Sequence, residues 1–346
     1  MAMRKVLQCL MSLEIGGAET HVVELSKSLA KKGYEVVVAS NGGTYEKELT
    51  EAGVKVIRIP MHSKRPLFII QSLFLLNKLI RNFKPEIVHA HARIPGLYVS
   101  VFEKIYNFRM ITTVHGKFKI NWILKRITQW GKEIFVVSED LKEYLIENYP
   151  VEKANIFKTV NGIDTERFYP SNPSDIEYDI VHVSRLDQGT SKTAEMLITY
   201  ARESDVNVLV VGSGSELKKL REKSTEIYNI NFQGATNKVE TELRKAKVFV
   251  GISRSALEAM SMNMPVVLSG DYGYMGIINT SVLDEAIRNN FTARVSTNLD
   301  YDRLRQDLND ILKMSPALFS WEREYIENNY SISKMSEDYI RVYENE

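Results

Sequence analysis

Short runs of consecutive apolar residues alternate along this chain with longer segments in which apolar positions recur every three or four residues. The short runs predict buried strands, and the periodic segments predict helices with one apolar face. Strands are expected at 6–10, 35–39, 55–59, 87–91, 110–115, 134–137 and 156–160. Helices are expected at 18–32, 45–52, 67–83, 139–148 and near 97–106. Gly33 stops the first helix as a residue free to leave the helical region. Strand and helix in strict alternation predict a parallel, doubly wound sheet.

The rhythm breaks after 156–160. Asn161-Gly162-Ile163-Asp164, followed by Phe168-Tyr169-Pro170-Ser171-Asn172-Pro173-Ser174, is a turn-forming stretch suited to a domain junction. It then restarts, with strands expected at 179–183, 206–211, 231–233, 248–250 and 265–268. Helices are expected at 193–202, 215–228, 238–245 and 256–262. The fold class is α/β, with two Rossmann-like doubly wound parallel-sheet domains in series. The expected division is 1–162, with a C-terminal helix at 328–346 packing back on it, and 163–327.

Composition narrows this picture in three ways. The 346 residues, 44% hydrophobic and 26% charged, are those of a globular chain with room for two cores. Cys9 is the sole cysteine, so no intrachain disulfide can form and a reducing, cytoplasmic compartment is expected; the N-terminus shows no secretory signal pattern. The longest strongly apolar stretch, 67–76, is interrupted by Gln71 and Ser72 and falls short of the roughly 20 residues that span a bilayer.

Net charge is only +1, yet residues 1–162 hold 24 Lys and Arg against 15 Asp and Glu, while the remainder holds 21 against 29. A basic first half implies an anionic surface or substrate for that half alone. Ser63-Lys64-Arg65-Pro66 before the 67–83 helix, and Lys117-Phe118-Lys119-Ile120-Asn121-Trp122-Ile123-Leu124-Lys125-Arg126, mix cations with apolar and aromatic residues. Such mixtures suit peripheral contact with an anionic membrane. A solvated face on a packed helix is the plainer alternative for 67–83. No nucleic-acid partner is expected.

Candidate chemistry falls at carboxyl ends of expected strands, where open α/β sheets bind ligands. Gly16-Gly17-Ala18-Glu19 joins the first strand to the first helix and lets backbone approach a ligand at the positive helix end. His89 and His91 close one strand and His115 another. The plainer reading of His89 is a hydrogen-bonded core histidine, and no cysteine or carboxylate completes a metal set. Arg185 follows the 179–183 strand and Lys192 opens the next helix, so two cations can meet a diphosphate. Arg254 and Ser255 lie in the loop after 248–250, with Glu258 about a turn into the following helix, where its carboxylate can accept from two ribose hydroxyls.

Taken together, these residues resemble the family 4 glycosyltransferases of the GT-B fold, of the bacterial surface-polysaccharide type. The resemblance rests on the order of Gly16-Gly17-Ala18-Glu19, His89-Ala90-His91, Thr113-Val114-His115, Asn161-Gly162-Ile163-Asp164 with Phe168 and Pro170, Arg185 with Lys192, and Leu257-Glu258-Ala259-Met260 before Pro265-Val266-Val267. It implies two domains facing a cleft and transfer of a hexose, with retention, from a UDP-linked donor to a glycan or lipid-linked acceptor.

No cofactor and no metal are implied. Arg185 and Lys192 would bind the donor diphosphate and Glu258 the ribose, with Arg254 and Ser255 beside them. Gly234 and Ala235, in Phe232-Gln233-Gly234-Ala235-Thr236, would sit at the base-contacting turn. His115 would touch the donor sugar. Gly16 and Gly17 would line the phosphate, and Glu19, His89 and His91 the acceptor side.

Two departures stand out. Counting seven residues back from Glu258 reaches Val250, so the first of the family's usual glutamate pair is missing, and the 251–254 loop is short. Arg185 to Lys192 is about two residues longer than usual. Two alternatives therefore stay open: a nucleotide-sugar epimerase of the same fold, and a non-catalytic sugar-nucleotide-binding protein.

Overall fold

The computed structural model describes residues 4–63, 65–294 and 298–344. Lys64, residues 1–3 and residues 345–346, all within segments named above, lie outside them. The described chain divides into two compact units, Met1–Gly162 with Ile332–Glu346, and Ile163–Ser331.

In the first unit the order is β1 (Lys5–Cys9), α1 (Gly17–Lys31), β2 (Glu35–Ser40), α2 (Glu46–Glu51), β3 (Lys55–Arg58), α3 (Pro66–Phe83), β4 (Ile87–His91), α4 (Arg93–Glu103), β5 (Arg109–Val114), α5 (Trp122–Ile127), β6 (Glu133–Val136), α6 (Glu139–Asn148) and β7 (Ile156–Lys158). The strands form one parallel sheet in the order β3-β2-β1-β4-β5-β6-β7. The direction of winding reverses between β1 and β4, which makes that pair the switch point where such sheets open a ligand crevice.

The second unit runs β8 (Tyr178–Val183), α7 (Lys192–Arg202), β9 (Val208–Val211), α8 (Leu217–Lys223), β10 (Ile230–Gly234), α9 (Val239–Leu243), β11 (Ala246–Gly251), α10 (Arg254–Ser261), β12 (Val266–Gly270), β13 (Gly273–Ile277), α11 (Leu283–Arg288), α12 (Tyr301–Ile311) and α13 (Trp321–Tyr330). Its sheet is ordered β10-β9-β8-β11-β12-β13, with the switch point between β8 and β11. The edge strand β13 is antiparallel to β12, an addition that the short, glycine-bounded run Tyr274-Met275-Gly276 does not announce.

One expected helix is shorter than its segment, and one helix appears where none was expected. The segment expected as a helix over 215–228 is helical only over Leu217–Lys223, because the hydroxyls of Ser224 and Thr225 turn back onto the carbonyls of Arg221 and Glu222 and end it. The basic stretch 117–126 contains α5, started by the Asn121 side chain accepting from the Leu124 N–H at 2.8 Å. Every residue of α5 is at least partly exposed, so no apolar period marks it.

The sheet of the first unit is covered on both faces. One face packs against α1 and the other against α3 and α4, with Leu7, Cys9, Val37, Leu76, Ile80, Val99 and Phe102 in the latter core. The last helix, α14 (Ile332–Tyr343), lies beside α1 in the former. Met335, Tyr339, Val342 and Tyr343 fall on one stripe and are buried, as the spacing of four and three requires. Tyr339 packs its ring, tilted by 43°, against Phe135 of β6 with centroids 4.3 Å apart, and Gly162 sits where an added Cβ would meet Ile332 and Met335 at 3.0 Å.

Truncating Tyr339 to alanine removes a fully buried ring and should cost about 3–5 kcal/mol. Trp122→Ser, at a side chain 75% exposed, should move stability by no more than about 0.5 kcal/mol. Urea denaturation of the two variants checks the contrast; equal midpoints would mean that α14 does not anchor the first unit.

Candidate active site

At the carboxyl edge of the first sheet, nearly all the polar side chains point inward. Burial would penalise each of them alone, so they satisfy one another. His91 Nε2 lies 2.7 Å from Gln8 Oε1 on the neighbouring strand, and His91 Nδ1 lies 3.1 Å from His115 Nε2, just past β5. His89 contacts the Tyr343 hydroxyl through Nδ1 and the Thr113 hydroxyl through Nε2, both at 2.7 Å. Thr113 continues to Tyr339 at 2.9 Å, Tyr339 to His21 Nε2 at 2.8 Å, and His21 Nδ1 to Asn161 at 3.3 Å.

Burial, reinforced by the neighbouring imidazoles, holds His89 and His91 well below the ordinary histidine range, and burial pushes His115 down to about 4. The rings are neutral at physiological pH. Burial also raises the Tyr339 and Tyr343 phenols, so both keep their protons. His89 and His91 are thus structural members of a core network, and His115 is the half-buried member at its outer end.

Beside them, Gly16 caps α1 in an extended conformation and accepts from the Thr20 hydroxyl at 2.9 Å, with Gly17 exposed and Glu19 half-buried in the first turn. The loop is held by its neighbour after β2. Leu13 N–H donates to the Gly42 carbonyl at 2.9 Å, and Gly43, at φ +149°, passes so close that a Cβ would stand 2.5 Å from Leu13 backbone. Gly42 and Gly43 support the loop, a role that a bare glycine pair in the sequence does not reveal.

The second unit places its candidates along the same kind of edge. Arg185 follows β8 and Lys192 begins α7; both are exposed, and neither side chain makes a hydrogen bond or ion pair among the described residues. The Lys192 N–H is taken by the Asp271 carboxylate, from the loop after β12, at 3.0 Å. Behind Arg185, the loop after β9 packs against Ser184–Asp187: Leu186 N–H donates to the Ser213 carbonyl and Ser215 N–H to Asp187, both at 2.9 Å. Gly212, at φ +147°, permits this, since a Cβ there would be 1.9 Å from the Ser184 carbonyl oxygen.

Across the switch point, Arg254 is the first residue of α10 and not a loop residue. It is buried, and its Nε donates to Glu258 Oε1 at 2.9 Å one helical turn on. Burial raises the Glu258 carboxyl above the ordinary carboxylate range, and the Arg254 guanidinium opposes part of that rise. Ser255 is half-buried beside them, and Gly234, at φ +86°, and exposed Ala235 end β10 at the sheet edge.

Both switch points also carry strain. Ala92 at φ +110° follows β4, and Ser253 at φ +61° follows β11. Non-glycine residues held there cost about 1–3 kcal/mol and persist where surrounding structure enforces them, which is common around functional loops. Among the described residues no group of three or more His, Cys, Asp or Glu could hold a metal ion.

Two doubly wound sheets in one chain match the GT-B architecture, and the second carries exposed cations and a buried Arg–Glu pair around its switch point. The first part of the chain, residues 15–167, matches the model for Glycosyltransferase Family 4, and residues 177–294 match that for Glycosyl transferases group 1. The chain is a GT-B glycosyltransferase related to the family 4 and group 1 enzymes, acting on nucleotide-sugar donors.

It is 24% identical over 282 residues to the O-antigen biosynthesis glycosyltransferase WbnH of Escherichia coli, covering 77% of this chain and 81% of that one. In fold it resembles a glycosyltransferase from Rickettsia africae (TM-score 0.76, 21% identity, 100% of this chain and 99% of that one). It also resembles Anabaena Alr3699/HepE in complex with UDP-glucose (TM-score 0.80, 14% identity, 99% and 100%).

The depressed histidines carry a pH dependence. Unfolded histidine titrates near 6.5, so below that value the unfolded chain takes up protons that folded His115 and His182 refuse until about pH 4. Stability is therefore fully present above about pH 6.5 and falls as pH drops toward 4. Melting temperature measured across this window should decline in wild type and decline less in His115→Gln.

Proposed function

We propose that the enzyme transfers a hexose from a UDP-linked donor to a glycan or lipid-linked acceptor of a surface polysaccharide, with retention, as a cytoplasmic protein at the inner face of the cell membrane. The observation that carries the donor assignment is the pair of exposed cations Arg185 and Lys192 beside a switch point that also holds Glu258. The UDP-glucose bound by HepE and the O-antigen role of WbnH support the base and the acceptor class.

Glycosyl transfer passes through an oxocarbenium-like state while charge accumulates on the departing diphosphate. Arg185 and Lys192 stabilise that charge, and the α7 backbone adds N–H donors once Asp271 gives way. Glu258, oriented by Arg254, accepts from the ribose hydroxyls. Ser255 and the Gly234-Ala235 turn border the nucleotide. His115 contacts the substrate sugar, Gly16 and Gly17 bring backbone to the phosphate side, and Glu19 faces the acceptor. Leaving-group stabilisation by cations needs no divalent ion.

Arg185→Ala and Glu258→Gln should fold and lose roughly 10- to 150-fold in kcat/KM, the equivalent of about 1.5–3 kcal/mol for a charge-assisted hydrogen bond. Transfer should persist in excess EDTA. Wild-type kinetics in either folded variant, or loss in EDTA reversed by magnesium or manganese, overturns the assignment. Incubation with donor and no acceptor separates the epimerase alternative, which predicts an epimerised nucleotide-sugar.

Membrane contact is supported by the surface of the first unit. Leu67, Phe74 and Trp122 are 81%, 67% and 75% exposed, and Arg65, Lys78, Arg81, Lys117, Lys119, Lys125 and Arg126 accompany them in sequence. No described helix is long and apolar enough to cross a membrane, so the contact is peripheral. Each cation near an anionic surface contributes about 1 kcal/mol. Co-sedimentation should favour anionic over neutral vesicles at low salt and fade at high salt; no preference at low salt would favour a soluble acceptor.

A further inference from the structure

The buried network of the first unit has one direction. The Gln8 amide oxygen can only accept, so the His91 Nε2 at 2.7 Å carries the proton. A neutral ring has one N–H, which leaves His91 Nδ1 as a lone pair, and the contact at 3.1 Å then requires His115 Nε2 to donate. His115 is neutral in its turn, and its Nδ1 makes no hydrogen bond among the described residues.

The other side of Gln8 runs the same way. Its Nε2 donates to the Tyr343 hydroxyl at 3.5 Å, Tyr343 to His89 Nδ1, His89 Nε2 to Thr113, Thr113 to Tyr339, Tyr339 to His21 Nε2, and His21 Nδ1 to Asn161. Each of these contacts pairs one donor with one acceptor. Nine residues from β1, α1, β4, β5, the junction and α14 thus share a single polarity, with the Gln8 amide passing it from one branch to the other.

We propose that this directed chain fixes His115 as a hydrogen-bond acceptor, offering Nδ1 to a hydroxyl of the sugar substrate, with Gln8 and His91 as positioning residues. The inference rests on His115 contacting substrate, as proposed above, and adds the chemistry it recognises. A hydroxyl can donate to Nδ1, whereas an N–H at that atom would make the hydroxyl an acceptor and turn its proton elsewhere. The hydroxyl belongs either to the donor sugar or to the acceptor.

Two readouts test this. In imidazole nitrogen NMR, with His115 assigned by its loss in His115→Ala, Nε2 should be protonated and Nδ1 bare in the wild type. Gln8→Met keeps the side-chain length but removes the acceptor; it should release His115 into a mixture of tautomers and lower kcat/KM for nucleoside diphosphate release roughly tenfold. His91→Phe, which retains a ring in the stack, should do the same and serves if Gln8→Met fails to fold.

Gln8→Glu places a carboxylate on His91 and raises its affinity for a proton. Once His91 is charged it donates from both nitrogens and forces His115 to accept at Nε2, so this variant should gain an acid limb in its pH–rate profile that the wild type lacks. A rise in KM for the nucleotide-sugar assigns the hydroxyl to the donor, and a rise in KM for the acceptor assigns it there. A protonated Nδ1 in the wild type, or a Gln8→Glu profile superimposable on the wild type, overturns the proposal. Unimpaired turnover in His115→Ala overturns the substrate contact itself, while leaving the tautomer result standing.

Discussion

The first unit depends on two phenols supplied from the far end of the chain. Tyr339 and Tyr343 reach under the carboxyl edge of β1, β4 and β5 and supply hydrogen-bond partners to His21, His89 and Thr113. Buried polar groups left unpaired cost about 1–3 kcal/mol each, so the helix contributes more than its apolar stripe. The strand-end histidines can be as numerous and as dry as they are because α14 returns to close the network. That same closure makes the imidazoles neutral and aligned, which is the state in which an imidazole nitrogen accepts a hydrogen bond from a sugar.

The second unit solves a different problem. A diphosphate site needs accessible cations, and Arg185 and Lys192 remain exposed while Arg254 across the switch point is buried and paired with Glu258. Their loop is rigid through backbone contacts to Gly212, Ser213 and Ser215 and does not draw on the cations themselves. Asp271 occupies the α7 N-terminus with a carboxylate, the same kind of charge that a phosphate would bring. The position seven residues before Glu258, where the family's first glutamate would stand, is Val250, wholly buried in β11.

Much of this was legible in the sequence. The β1, β4 and β8 runs are strongly apolar and short, and their ends announced the switch points where Gly16, His91 and Arg185 stand. The periodicity of 67–83 and 139–148 predicted α3 and α6 to within a residue. What was not legible depends on partners distant in the chain. Nothing local says that Gln8, in an apolar strand, joins His91, or that Gly43 and Gly212 exist to let two loops touch. Arg254 was expected in the loop because a cation before an apolar helix reads as solvated; pairing with Glu258 four residues on lets it be buried in the first turn. The edge strand β13 and helix α5 escaped because neither has a buried face with a clear period.

The central claim is that the carboxyl edge of the second sheet binds a nucleoside diphosphate through Arg185 and Lys192. Hydrogen–deuterium exchange with saturating UDP, GDP and ADP in turn tests it most directly, because ligand contact slows exchange of the amides it orders. The account predicts that UDP protects the loop after β8, the first turn of α7 and the start of α10, and that Arg185→Ala abolishes this protection. Unchanged exchange at those amides with all three nucleotides, or protection that survives in Arg185→Ala, would contradict it.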